Sequence, residues 1–72
     1  MSEKIIKLRN GEQFVTLGAL LKIGGVISTG GQAKYFLDEN QVLINGQPDN
    51  RRGRKLYKGD KINVLNLFFL ID

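Results

Sequence analysis

The stretch RRGRKLYKGDK, residues 51–61, holds six of the eleven Lys and Arg side chains of the chain and a single acid, Asp60. Its net charge is +5, whereas the other sixty-one residues carry five basic and six acidic side chains, a net charge of −1. The whole net charge of +4 is therefore local. Charge concentrated in this way creates a directed field that attracts an anionic polymer. A solvated, Lys- and Arg-rich hairpin without a partner is the alternative interpretation.

Length and composition predict one small domain over residues 1–72. The chain contains no Cys and no His, so neither a disulfide nor a Cys/His zinc site can stabilise it, and apolar packing must do so. No signal peptide is visible, and the longest apolar run, residues 67–71, is far shorter than the roughly 20 residues that span a bilayer. We therefore expect a cytoplasmic protein with no membrane partner.

A first short helix is predicted after Thr16. Threonine is a favourable N-cap, and the leucines that follow it recur at spacings of three and four residues. Gly24 and Gly25 should end this helix, because glycine adopts the left-handed conformation most easily.

A second helix is predicted to begin at Thr29, since Thr29 and Gln32 fit a capping box, and to end with Asn40 in the left-handed conformation. Gly30 and Gly31 leave the N-terminus of this helix bare, so that a phosphate can approach its N–H groups. A tight connection between two closely packed helices explains the two glycines equally well.

Both ends of the chain have strand patterns. Residues 4–8 predict an edge strand, and the turn dipeptide at positions 10–11 suggests a hairpin that returns through residues 13–15. Residues 67–71 predict either a buried strand paired with residues 4–8 or an apolar patch that contacts a second copy of the chain.

The middle of the chain contains a clearer hairpin. Residues 42–44 predict a strand, and the Asn-Gly pair at 45–46 is a strong hairpin signal. Pro48 cannot donate a hydrogen bond to a ladder, which places the returning arm at an edge. A further turn is predicted at residues 58–60, followed by a half-buried strand at residues 61–64.

The chemistry of catalysis is missing from the sequence. Without His and Cys, the chain lacks the commonest general base, the thiol nucleophile and the soft metal ligands. Gly25 and Gly30 have the spacing of two glycines in a phosphate-binding loop, but Gly31 stands where that loop needs its lysine. We expect no enzyme activity, no cofactor, no metal and no small-molecule substrate.

Several blocks in order resemble the RNA-binding domain first described in ribosomal small-subunit protein four, the S-four domain. Within that superfamily the chain is most similar to the short stand-alone YaaA-type proteins. The matching blocks cover about two thirds of the chain: TLG (16–18), LK (21–22), STGGQAK (28–34), FL (36–37), VLING (42–46), DNRRGRKL (49–56) and KGD (58–60).

The resemblance implies an α+β fold, the alpha-L RNA-binding motif, in which two short helices pack on a small, mostly antiparallel bent sheet. The core module would span about residues 16–64, with flanking strands at both ends. The resemblance also implies a non-catalytic protein that grips structured RNA, most often ribosomal RNA, through phosphates and shape. For the YaaA-type proteins it implies a role in maturation of the large ribosomal subunit.

The residues expected to bind RNA lie in the matching blocks and the basic stretch: Lys22, Gly30, Gly31, Lys34, Asn45, Arg51, Arg52, Arg54, Lys55 and Lys58. Many members of the superfamily carry an arginine at the start of each helix, where this chain has Thr16 and Gly30. Tyr35 and Tyr57 could stack on bases or lie partly buried.

The alternative function is an oligomerising adaptor. In that case residues 67–71 form a homodimer interface and the basic stretch contacts an acidic protein. Duplex DNA is a third possible partner of the basic stretch.

Overall fold

The computed structural model describes residues 2–72 and contains two helices, two sheets and short connections. The helices are α1 (Leu17–Ile23) and α2 (Ala33–Glu39), the second preceded by a 3₁₀ turn, Gly30–Gln32. The strands are β1 (Ser2–Ile6), β2 (Phe14–Thr16), β3 (Val42–Ile44), β4 (Gln47–Pro48), β5 (Lys55–Tyr57), β6 (Lys61–Val64) and β7 (Leu67–Ile71).

The larger sheet has five strands in the order β1-β7-β6-β3-β4, and the smaller sheet pairs β2 with β5. Among the strands of residues 2–72, only the β1–β7 pair is parallel, so the predicted α+β fold with a mostly antiparallel sheet is confirmed. In the part of the chain that the structure describes, no helix has the length and apolar character needed to cross a bilayer.

Helix α1 begins and ends as its sequence predicts. The Thr16 hydroxyl accepts a hydrogen bond from the N–H of Ala19 at 3.3 Å, which is N-capping. At the other end Gly25 adopts φ +78°, and the N–H groups of Gly25 and Val26 donate to the carbonyls of Lys22 and Leu21. These two bonds form a Schellman motif, which satisfies carbonyls at the helix end.

Gly24 is needed for packing against the sheet and not for the backbone conformation at the end of α1. Its backbone (φ −75°, ψ −3°) suits any residue, but a Cβ atom there would lie 2.7 Å from two ring atoms of Phe69. Phe69 is fully buried in the middle of β7, so its ring cannot move aside freely. Gly24 therefore sets how closely helix α1 approaches the sheet.

One continuous core lies between the helices and the larger sheet. Its buried side chains come from both helices, from β3, β5, β6 and β7, and from Ile27 in the interhelical connection. Full burial of one such aliphatic side chain contributes about 1.5–3 kcal/mol. Among residues 3–72, whose burial the structure describes, the core contains no buried polar or charged residue.

The C-terminal apolar run, residues 67–71, forms an interior strand. Of its two predictions, the strand paired with the N-terminal segment is therefore right, and the patch for a second copy is not needed to explain it. β7 pairs with β1 on one side and β6 on the other. Phe69 and Ile71 lie in the core, whereas Phe68 is 36% exposed on the other side. Both hydrogen-bonding edges of the run are therefore used within the chain.

The predicted hairpin between residues 4–8 and 13–15 is wrong. Gly11 does adopt a turn conformation (φ +89°), and Glu12 closes the turn through hydrogen bonds with Arg9. However, β1 pairs with β7, and β2 pairs with β5. The turn joins two different sheets, because both neighbouring strands find partners far away in the sequence.

The end of helix α2 also differs from its prediction. Asn40 is extended (φ −129°), not left-handed, because the chain passes almost directly into β3. Its backbone N–H and its side-chain amide both donate to the carbonyl of Phe36. A side-chain cap thus replaces the left-handed turn.

The central hairpin is as predicted. Asn45 (φ +53°) and Gly46 (φ +84°) both have positive φ, as a two-residue turn of the primed type requires. Pro48 lies in the edge strand β4, opposite Leu43.

Replacing Gly24 with alanine should destabilise the protein, because the added methyl group collides with the Phe69 ring. Overpacking of this kind costs about 1–3 kcal/mol in free energy of unfolding, measurable by urea denaturation. Gly31→Ala is the matched control, since nothing lies within 4 Å of a Cβ at that position. Equal stability of the two variants would contradict the packing role of Gly24.

Candidate nucleic-acid interface

Residues 51–54, here called the basic loop, are bound to the first turn of helix α1. The N–H of Leu17 donates to the carbonyl of Arg54 and the N–H of Gly18 to that of Arg52, both at 2.8 Å. The first N–H groups of a helix have no partner inside the helix. Here the backbone of the basic loop supplies the acceptors, so the loop has a fixed position.

Gly18 permits this close approach. A Cβ atom at Gly18 would lie 3.3 Å from the Arg52 carbonyl oxygen and 3.7 Å from the Cβ of Ala33. Arg52 and Ala33, the first residue of α2, therefore flank the same point of α1. The basic loop consequently adjoins the start of α2, where Gly30, Gly31 and Lys34 are all exposed.

Asp49 organises two of the three arginines of the basic loop. Its carboxylate accepts hydrogen bonds from Nε and Nη2 of Arg51 at 3.1 and 2.9 Å, and from Nη1 of Arg54 at 2.8 Å. It also accepts from the backbone N–H of Arg51 at 2.9 Å. The Asp49 side chain is only 9% exposed, whereas that of Arg51 is 69% exposed.

These contacts keep Asp49 ionised. The side-chain hydrogen bonds from Arg51 hold the pKa of the Asp49 carboxyl well below its usual 3.8, and the Arg51 N–H and the Arg54 guanidinium lower this pKa further. Burial opposes them by raising the pKa. The hydrogen bond to Asp49 in turn raises the pKa of Arg51.

The three arginines therefore differ in what they can offer a ligand. A guanidinium has five N–H donors; Arg51 uses two on Asp49 and Arg54 uses one. Arg52 is exposed and has no side-chain hydrogen bond or ion pair to any residue between 2 and 72. It is the arginine of the basic loop whose full planar fork is available for a phosphate.

A separate polar cluster lies at the C-terminal end of β5, away from the basic loop. The Asn45 side chain donates to a carboxylate oxygen of Asp60 at 3.1 Å and accepts from the N–H of Lys61 at 3.0 Å. The second Asp60 oxygen accepts from the N–H of Tyr57 at 2.8 Å. Asn45 thus holds two turns together, and the exposed Lys58 lies in one of them.

The outer face of the β2–β5 ladder combines aromatic and basic side chains. Phe14 lies opposite Tyr57, with ring centroids 6.0 Å apart and a tilt of 53°. The Lys55 ammonium lies 4.9 Å from the centre of the Phe14 ring, within the range of a cation–π contact. An open groove of about 420 Å³ continues from Tyr57 and Lys55 to Arg54, Gly53 and Arg51.

The structure brings most of the predicted RNA-binding residues into two adjoining groups. One combines the basic loop with Lys55; the other combines Gly30, Gly31 and Lys34 at the start of α2, and the two meet at Gly18. Asn45 and Lys58 lie at the far end of β5. Lys22 lies near the C-terminal end of α1, opposite the end to which the basic loop binds.

Two residues of this surface were missed by sequence reasoning. Asp49 carried a local signal, because an aspartate often accepts the N–H two residues ahead, here that of Arg51. Phe14 had no local sequence signal that could have indicated its place in this surface, since it contacts Tyr57 only through the long-range β2–β5 pairing.

The fold combines two helices with a mostly antiparallel sheet and places a basic loop on the first helix. The family model described as the S4 domain matches residues 6–70, so the chain belongs to the S4 domain family, which binds RNA. The resemblance found in the sequence is confirmed.

A curated relative is also similar to the chain. The "Probable ribosome maturation protein RlbA" of Bacillus subtilis (strain 168) is 56% identical over 52 residues, which cover 72% of this chain and 73% of the relative. No solved structure gives a significant match.

Asp49→Asn should change how stability depends on pH. A carboxyl whose pKa is lowered by folding stabilises the protein above its unfolded pKa, near 3.8, and loses this contribution as the pH falls below that value. The wild type should therefore be more stable than the variant at neutral pH, and the difference should shrink from about pH 4 downward.

Urea denaturation at a series of pH values measures this difference. The other carboxyl groups titrate in both proteins and cancel in the comparison. A difference that stays constant down to pH 2 would show that the charge of Asp49 is not what stabilises the basic loop.

Proposed function

We propose that this chain is a non-catalytic protein that grips structured RNA, namely ribosomal RNA, during maturation of the large ribosomal subunit. The observation that carries the proposal is the seating of the basic loop on helix α1, beside the start of α2. Membership of the S4 domain family and the similarity to a protein named for ribosome maturation support it. The proposal includes a cytoplasmic location, as expected for a protein that acts on ribosomal RNA.

The geometry suits recognition of phosphates and shape. Double-stranded RNA has a deep, narrow major groove that side chains cannot read, so proteins contact its phosphates and its outline. Arg52 offers a whole guanidinium fork, while Arg51 and Arg54 offer the donors that Asp49 leaves unused. Lys34, Lys55 and Lys58 add exposed point charges.

The exposed backbone at Gly30 and Gly31 is a further proposed contact. The Gln32 side chain accepts from the N–H groups of Ser28 and Thr29, at 2.7 and 3.1 Å, so these two donors are already used. The absence of side chains at Gly30 and Gly31 allows an RNA backbone to approach the turn closely. Lys22 and Asn45 remain proposed peripheral contacts.

The alternative adaptor function receives less support from the fold. Its apolar tail is strand β7, which is paired on both edges, and Phe69 and Ile71 are buried.

Binding should depend steeply on salt. If about five phosphates are neutralised, log affinity falls with log salt at a slope near −4, because bound counterions are released. Alanine at Arg51, Arg52 and Arg54 together should flatten the slope by roughly two to three units and weaken binding across RNA sequences.

The matched control removes three cations elsewhere. Lys4, Lys7 and Arg9 are exposed on β1 and the connection after it, so their joint alanine variant has the same net charge as the loop variant. Filter binding of a structured ribosomal RNA fragment across a salt series compares the two. Equal slopes of log affinity against log salt in the two triple variants would show that the basic loop is not part of the RNA interface.

Crosslinking in living cells, followed by sequencing of the attached RNA, tests the partner. Ribosomal RNA of the large subunit should be enriched with the wild type and depleted with the basic-loop triple variant. Recovery of no ribosomal RNA above background would overturn the proposed function.

A further inference from the structure

We propose that the outer face of the β2–β5 ladder holds an unpaired RNA nucleotide, its base stacked on Tyr57 and its phosphate on the basic loop. This inference rests on the proposed RNA-binding function and goes beyond it. The helices and the basic loop would grip backbone and shape, whereas this face would select a base that is free to leave a helix.

Tyr57 is an aromatic side chain displayed to solvent rather than a core residue. β5 alternates, with Leu56 fully buried and its neighbours facing outward. Tyr57 remains 49% exposed although Phe14 lies directly opposite it, because the two rings meet at a tilt of 53°. Phe14 supports the tyrosine from one side and leaves part of its surface open for stacking.

The cations around Tyr57 fit a nucleotide rather than an uncharged aromatic ligand. Lys55 is on the same face of β5 and is held over the Phe14 ring. The groove lined by Tyr57 is also lined by Arg51 and Arg54, whose guanidinium groups hydrogen-bond Asp49. Aromatic side chains beside a cationic groove are the elements by which proteins hold unpaired nucleotides.

Bases in a helix cannot use this face. Stacking on a side chain requires that a base be splayed out of its own stack, which loops, bulges and strand ends permit. The ligand of this face is therefore an unpaired nucleotide next to a structured RNA element, and every base type has a face that can stack.

Tyrosine fluorescence tests the stacking directly. The chain has two Tyr and no Trp, so Tyr35→Phe leaves Tyr57 as the sole tyrosine fluorophore. An RNA hairpin with a uridine loop should quench the emission of this variant. The same hairpin with abasic loop nucleotides, which keeps every phosphate, should leave the emission nearly unchanged.

Affinity measurements distinguish stacking on the Tyr57 ring from a purely structural role of this side chain. Tyr57→Leu keeps apolar bulk against Phe14 but removes the aromatic face, and it should bind the uridine-loop hairpin about tenfold more weakly. Its affinity for the abasic hairpin should match that of the wild type. Tyr57→Phe keeps the ring and should restore tight binding. Tyr35→Leu removes a tyrosine that is 71% exposed on helix α2, and it should keep the wild-type preference for the uridine-loop hairpin over the abasic one.

The outcomes distinguish this inference from the proposed function. Equal wild-type affinity for the two hairpins, with Tyr57 emission unchanged, would overturn the stacking site and leave RNA binding intact. An equal loss of affinity for both hairpins in Tyr57→Leu would also overturn it, since the tyrosine would then matter only for structure. Failure of the wild type to bind either hairpin or a ribosomal RNA fragment would overturn the proposed function itself.

Discussion

The arrangement of this protein depends on two backbone hydrogen bonds, from the first N–H groups of helix α1 to carbonyls of the basic loop. Helix α1 needs acceptors for those N–H groups, and the loop needs a fixed support. The β2–β5 ladder makes the bonds possible, because it sets Thr16, which caps the helix, opposite Lys55, which follows the loop. The start of the helix and the basic loop are therefore parts of one structure that form together.

Two glycines, Gly18 in the first turn of α1 and Gly24 at its C-cap, set how closely the helix approaches its neighbours. Gly18 has no Cβ because the Arg52 carbonyl lies close to it, and Gly24 has none because Phe69 does. The first glycine faces the loop and the second faces the sheet, so each end of a seven-residue helix is set against a different neighbour. A short helix has little stability of its own and is defined by such tertiary contacts.

Much of the fold could be predicted because its signals are local. The cap at Thr16, the glycine at position 25 and the Asn-Gly turn at 45–46 each satisfy a backbone requirement within a few residues. The β1–β7 pairing was one of two alternatives for residues 67–71, and the β2–β5 pairing was not predicted, because both join segments far apart in the sequence. The turn at Leu65 also carried no signal, since this leucine adopts φ +56°, a conformation that side chains other than Asn, Asp and Gly rarely adopt.

For the candidate interface, composition correctly located the charge but not its internal pairing. Counting residues 51–61 gives +5, yet Asp49 lies just outside that range and holds Arg51 and Arg54. Within the part of the chain that the structure describes, no side chain pairs with Arg52, which lies next to two arginines that hydrogen-bond Asp49. Ordering a long side chain on binding costs conformational entropy, and the hydrogen bonds to Asp49 already restrict Arg51 and Arg54 in the folded protein. In the proposed interface, an acidic residue inside a cationic surface would therefore favour binding through preorganisation, even though it lowers the net positive charge of that surface.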